Sequence, residues 1–218
     1  MSINTQSGLF DEDYFENGIQ TGKSCYSNYR WLPELTMNMA KVIVKCLSLH
    51  SSDRVLDYGC SKGYLVKALR KMDIDAYGCD LSSYAILNCD SEVSSFCRLI
   101  TESDPLPYDD DFFDYIITKD VLEHIPVTYL SELILLATKK TKRMFHIIPL
   151  GNDDGSFVIS QYANDPTHVT IKTEDWWKGF FSNNGWVVES FSYCVPGIKD
   201  NWHEFDQKGN GFFVLSRA

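Results

Sequence analysis

The stretch that most constrains this chain is a short apolar run that breaks into a glycine-bearing turn and then resumes at helical spacing. It reads Val55-Leu56-Asp57-Tyr58-Gly59-Cys60-Ser61-Lys62-Gly63-Tyr64-Leu65. The run from Arg54 to Leu56 predicts a buried strand, and Leu65, Val66, Ala68 and Leu69 predict the helix that follows. A glycine turn between them lets backbone come close to a ligand, because no side chain holds it off. Asp57 stands where the strand ends, placed to accept from an ammonium or a hydroxyl. A second predicted strand, Ala76-Tyr77-Gly78-Cys79-Asp80-Leu81, also ends on an acid. Ligands of open parallel sheets bind beyond the carboxyl ends of the strands, and an acid there grips a ribose diol. Glycines at one strand end are usually plain turns. The two acidic strand ends together predict a nucleoside-cofactor site.

Two cofactor classes fit such a site. Dinucleotide enzymes carry G-x-G-x-x-G with a diphosphate on the helix N-terminus. Here Gly59-Cys60-Ser61-Lys62-Gly63 is one glycine short, and Asp57 precedes it by two residues. A carboxylate there repels a diphosphate but suits a cofactor with an amino-acid end. The pattern D-x-G-C-x-x-G resembles motif I of the class I S-adenosylmethionine-dependent methyltransferases, and Asp80 resembles the acid of their second motif. The resemblance implies S-adenosyl-L-methionine as cofactor. It implies that Gly59, Cys60 and Gly63 let backbone approach the methionine part, with Asp57 in or beside that site. It puts Asp80 on the ribose hydroxyls and Leu81 against the adenine.

Further segments extend the resemblance. Leu106 to Asp114, L-P-Y-D-D-D-F-F-D, is similar to the family's L-P-F-x-D-x-x-F-D. That match puts Glu102 or Ser103 near the adenine amine, with a slip to Asp104 left open; a solvated acidic loop is the plainer alternative. The segment Asp120-Val121-Leu122-Glu123-His124-Ile125 resembles one common in small-molecule methyltransferases, where the positions of Lys119 and Asp120 border the transferred methyl. Glu123 and His124 also suit a helix start, where an acid meets the dipole. Asp165-Pro166-Thr167-His168-Val169 resembles a stretch of methyltransferases related to ubiquinone biosynthesis and polysaccharide tailoring. His168 is the first candidate general base, since a near-neutral imidazole can take a hydroxyl proton. Asp165 is placed to orient it, and His124 is a second catalytic candidate. No H-E-x-x-H, paired histidines or dense ligand cluster points to a metal.

The elements in order predict an α/β sandwich, alternating strand and helix before two final strands joined without a helix. The resemblance adds a Rossmann-like, three-layer arrangement: seven strands, mostly parallel, in the order 3-2-1-4-5-7-6 with the last antiparallel. Residues 1–33 read as an aromatic arm or lid, and residues 34–218 as the methyltransferase domain. In the arm, Tyr26, Tyr29 and Arg30 are candidate cofactor contacts, the rings facing a sulfonium and Arg30 a carboxylate; the plainer alternative is an arm packed on the surface. Pro33 opens a predicted helix over 34–49 with Leu35, Met39, Val42, Ile43 and Cys46 inward. Lys139, Lys140, Lys142 and Arg143 cluster at a predicted helix C-terminus, which favours cations. Val195 to Gly211 reads as an exposed connection or a substrate wall.

A formal net charge of −10 argues against a broad nucleic-acid face. No apolar run is long enough to span a bilayer. Seven scattered cysteines without C-x-x-C fit reduced thiols and a cytoplasmic setting. The function expected is methyl transfer to a hydroxyl or amine of a small molecule, such as a sugar or surface-polysaccharide precursor. The alternatives are an RNA or protein methyltransferase, a cofactor-binding module without catalysis, and a nicotinamide dehydrogenase. Oligomeric state is not readable.

Overall fold

The computed structural model describes residues 8–218. A seven-stranded sheet runs β3-β2-β1-β4-β5-β7-β6, mostly parallel and flanked by helices, which is the predicted order. The chain divides into two compact units: one runs to Pro107 and takes in Asp165–Thr167, and the other comprises Tyr108–Asn164 and His168–Ala218.

The first unit holds α1 (Glu12–Glu16), α2 (Gly18–Thr21), α3 (Pro33–Leu47), β1 (Arg54–Tyr58), α4 (Tyr64–Arg70), β2 (Asp75–Asp80), α5 (Ser83–Leu87) and β3 (Cys97–Leu99). β1 pairs parallel with β2, and β2 with β3. Asp57 stands opposite Gly78, and Asp80 opposite Leu99. Pro33 opens α3 as expected, but the buried face is Thr36, Ala40, Ile43 and Leu47; Leu35 and Cys46 are exposed. The buried set keeps the helical repeat and is turned from the predicted stripe, because Ala40 and Thr36 are small enough for close packing. Ser82 caps α5 by accepting from the Ala85 N–H at 3.0 Å.

The arm is packed on this unit. Tyr14 and Phe15 join Ala85 in a buried cluster edged by Phe10, Tyr26, Tyr29 and Tyr84. Lys62, from the glycine turn, donates to Glu16 at 2.5 Å and to the Tyr29 carbonyl at 3.0 Å. Ser82 Oγ donates to the Phe10 carbonyl. The short α1 and α2 were not predicted; each is too brief to show a period.

The second unit holds β4 (Phe113–Lys119), α6 (Val127–Lys140), β5 (Thr141–Pro149), α7 (Glu174–Asn183), β6 (Trp186–Ser192), α8 (Asp200–His203) and β7 (Asn210–Arg217). β4 and β5 are parallel, and β7 runs antiparallel to both β5 and β6. The inward face of α6 is Leu130, Leu133, Ile134 and Ala137, as predicted. Lys142 and Arg143 lie on β5 rather than at the helix end, because Thr141 already pairs with Phe113. Thr173 caps α7 through the Trp176 N–H, and Trp177, Phe180 and Phe181 are buried. Between Val195 and Gly211 the chain is not simply exposed: it holds α8, and Ile198 and Lys199 are buried.

Candidate functional site

In the first unit the turn after β1 is held by its own backbone. The Gly59 and Cys60 N–H groups both donate to the Cys79 carbonyl, at 2.8 and 3.0 Å, and the Gly63 N–H donates to the Cys60 carbonyl at 2.9 Å. Gly59, Ser61 and Gly63 have positive φ, at 81°, 52° and 77°. A side chain at Gly63 would also meet Cys89 Sγ at 2.8 Å and Cys97 Sγ at 3.1 Å. Gly63 is thus needed both for backbone conformation and for close packing inside the fold. The Cys60 side chain likewise faces inward. Its hydrogen bond with Cys97 lowers the thiol pKa, but burial and the charges of Asp80 and Asp57 outweigh that and push it up to about 12. It is no nucleophile at neutral pH.

Asp80 ends β2 with its carboxylate braced by backbone. One oxygen accepts from the Ser61 N–H at 2.7 Å, the other from the Ser82 N–H at 2.8 Å. Burial pushes its pKa up while these N–H groups pull it back. A carboxylate has about four acceptor positions. The Ser82, Ser61 and Leu81 N–H groups bear on it here, which leaves room for a diol hydroxyl. Asp57 is buried one position before the end of β1. Ser61 Oγ is buried without a hydrogen-bond partner. Braced acid, second acid and orphaned hydroxyl fit an adenosyl cofactor carrying an amino-acid end. Leu81 follows Asp80 and is half-buried. Glu102 is half-buried, while Ser103 is exposed beside Thr101 in a tight bridge between Thr101 and Asp104. In the arm, the Tyr29 ring stacks on Tyr64 at 5.5 Å, and Arg30 is exposed with its guanidinium on the Asn28 carbonyl.

In the second unit a polar centre forms where β4 ends. Asp120 has φ 53° and is gripped by two ammoniums, Lys119 at 2.5 Å and Lys199. Burial would raise its pKa, but these two cations hold it well below the usual carboxylate range. Lys199 lies over the Tyr162 ring at 4.7 Å, and Tyr162 stacks on Trp202 at 4.2 Å. Glu123 is fully buried in a short 3-10 turn, Leu122–His124, and neither carboxylate oxygen has a hydrogen-bond partner. Burial, reinforced by the Asp120 charge, pushes its pKa far up. It is therefore not an acid at an exposed helix start.

His168 comes to this centre from a distant loop. Its Nδ1 lies 2.7 Å from the Tyr162 carbonyl, which fixes Nδ1 as the donor. Nε2 lies 4.0 Å from Glu123 Oε1. The His124 and His168 rings are 4.6 Å apart. The Glu123 carbonyl accepts from both the Val169 and Thr170 N–H groups at 2.9 Å, and Thr170 Oγ1 donates to the Ile125 carbonyl at 2.7 Å. The contacts of Asp165 lie with the arm and its own turn. Its carboxylate accepts from Tyr14 Oη at 2.9 Å and from the Thr167 N–H and hydroxyl, and so anchors the arm.

Sequence reasoning missed Lys199, Tyr162 and the burial of Glu123. Lys199 sits in a left-handed backbone position inside a stretch with no periodic pattern. No local signal marked it.

Residues 33–193 match the profile of a family described as a methyltransferase domain. The chain belongs to that family. It is a class I S-adenosylmethionine-dependent methyltransferase, and its cofactor is S-adenosyl-L-methionine. Among solved structures, one similar fold is a methyltransferase bound to the Trm112 activator of Haloferax volcanii: 16% identity, 84% of this chain and 90% of that chain, TM-score 0.66. Another is the geranyl diphosphate C-methyltransferase of Streptomyces coelicolor, solved with Mg2+, geranyl diphosphate and S-adenosyl-L-homocysteine: 15% identity, 83% and 78% coverage, TM-score 0.63. A third is an S-adenosylmethionine-dependent methyltransferase of Clostridium acetobutylicum: 13% identity, 83% and 91% coverage, TM-score 0.61. At such identities these structures speak for this methyltransferase's fold alone. No curated protein sequence matches it. Among its described residues, no helix is long and apolar enough to cross a membrane.

Proposed function

We propose that this methyltransferase acts on a small molecule, placing the methyl on a hydroxyl or amine, and that the Glu123–His124–His168 centre handles the acceptor's proton. When bound, S-adenosylmethionine supplies a methyl already made electrophilic by its sulfonium. The chain's residues then have to align the acceptor and exclude water. Asp80 takes the ribose hydroxyls and Leu81 flanks the adenine, with Glu102 and Ser103 toward its amine. Asp57 and the Gly59–Gly63 turn receive the methionine part, Tyr29 and Arg30 contribute from the arm, and Lys119 and Asp120 border the methyl.

The observation that carries the acceptor assignment is His168, whose Nδ1 donates to the Tyr162 carbonyl and whose Nε2 lies beside buried Glu123. An imidazole oriented in this way is suited to an acceptor's proton. The net charge of −10 disfavours an RNA substrate. Seven free cysteines fit a reducing, cytoplasmic setting.

The test is transfer of labelled methyl from S-adenosylmethionine to pooled sugars, sugar nucleotides and phenols, with RNA and protein pools in parallel. Label on a small hydroxyl or amine is expected. Label confined to RNA or protein, or on carbon as in the geranyl diphosphate enzyme, would replace this reading. Binding of S-adenosylhomocysteine without any labelled product would favour a module without catalysis.

A further inference from the structure

Among the described residues, one group of metal-ligand side chains comes together: a carboxylate oxygen of Glu123 and ring nitrogens of His124 and His168, all within 4.8 Å of one another. We propose that these three side chains form a binding site for a divalent first-row transition ion, which coordinates the acceptor's oxygen.

Three observations carry this. First, both oxygens of Glu123 are buried and unpartnered by hydrogen bonds. A buried polar group without partners is costly and calls for a ligand or ion. Second, His168 donates Nδ1–H to a backbone carbonyl, the arrangement that orients a metal-ligating imidazole. Third, the donors are held from both sides, because the Glu123 carbonyl takes the N–H groups of Val169 and Thr170 right after His168. Donors of a tetrahedral ion at about 2.1 Å lie about 3.4 Å apart. Small side-chain rotations therefore close the set.

Two imidazoles and one carboxylate select zinc, iron, cobalt or manganese over calcium or magnesium, which prefer all-oxygen shells. Asp120 is excluded from the donor set because Lys119 and Lys199 already neutralise it. Three protein donors leave positions open, as catalytic rather than structural sites do. A hydroxyl coordinated there gives its proton to water and keeps the O–H electron pair on oxygen, while the ion's oxidation state is unchanged. This role rests on the hydroxyl acceptor proposed above, with the proton passing to water and not to His168 while the ion holds that imidazole; ion binding itself does not rest on it.

The full chain, stripped with chelator, is titrated with Co2+ by visible absorption and with Zn2+ by calorimetry. One ion per chain with ligand-field bands is expected. Glu123→Gln, His124→Ala and His168→Ala should each weaken binding about tenfold or more, while His203→Ala should leave it unchanged. S-adenosylhomocysteine affinity, measured in parallel, reports folding. If His168→Ala does not fold, Glu123→Gln decides. Absent bands and heat in a chain that binds S-adenosylhomocysteine would overturn the ion site and leave the acceptor reading standing. Variants that bind Co2+ like wild type would also overturn it. An intact ion site in a chain that methylates no hydroxyl would overturn the acceptor reading and the ion's role in it, and leave ion binding standing.

Discussion

The turn after β1 and the centre after β4 both lie at strand ends, yet they are built in opposite ways. At the turn, the donors are spent on nearby acceptors: Gly59 and Cys60 on Cys79, Ser61 and Ser82 on Asp80. Most of its geometry is written between one strand end and the next, Ser61 and Asp80 being 19 residues apart. The second centre draws on three separate stretches, one carrying Asp120 and Glu123, the others His168 and Lys199, and it buries a carboxylate whose oxygens find no hydrogen bond. The first region reaches stability by local satisfaction. The second holds a cost in place by burial, as functional sites do.

Lys199→Met strikes the second region hardest. It leaves half-buried Asp120 with Lys119 alone, and losing one partner of a largely buried pair costs up to about 3 kcal/mol; urea unfolding measures it. A loss below about 1 kcal/mol would mean the pair is as weak as a surface one. His146 gives the pH test. Burial takes its pKa from 6.5 down to about 3, so the folded chain resists protonation that the unfolded chain accepts. Stability is full above about pH 6.5 and falls as the pH drops toward 3, with a slope of up to one proton. In His146→Gln the slope should flatten across that window.

Glu123→Met, in metal-free buffer, should stabilise the chain by about 1–2 kcal/mol, since it removes an unsatisfied buried group, while abolishing Co2+ binding. Destabilisation would erase the contrast between the two regions. Asp80→Asn should weaken S-adenosylhomocysteine binding by about 1.5–3 kcal/mol per charge-assisted bond lost, read by calorimetry. Gly63→Ala should cost about 1–2 kcal/mol for its left-handed backbone alone, with Cys89 adding to it.

The same contrast explains what could be read in advance. The Gly59–Gly63 turn and Asp80 were visible because their spacing is local. The strand order came through resemblance, and the inward face of α6 through its period. The face of α3 was misread because Thr36 and Ala40 carry little hydrophobic signal, yet they are the residues that pack. The Glu123 cluster stayed hidden because His168 reaches it only through the fold, so no window of sequence contains both.

The tether from the Glu123 carbonyl to Val169 and Thr170 runs main chain to main chain. Any residue other than proline supplies the same N–H. The loop beyond His168 can therefore vary its exposed face, Val169 included, without shifting the imidazole. Substitutions can accumulate on that face while His168 keeps its place beside Glu123.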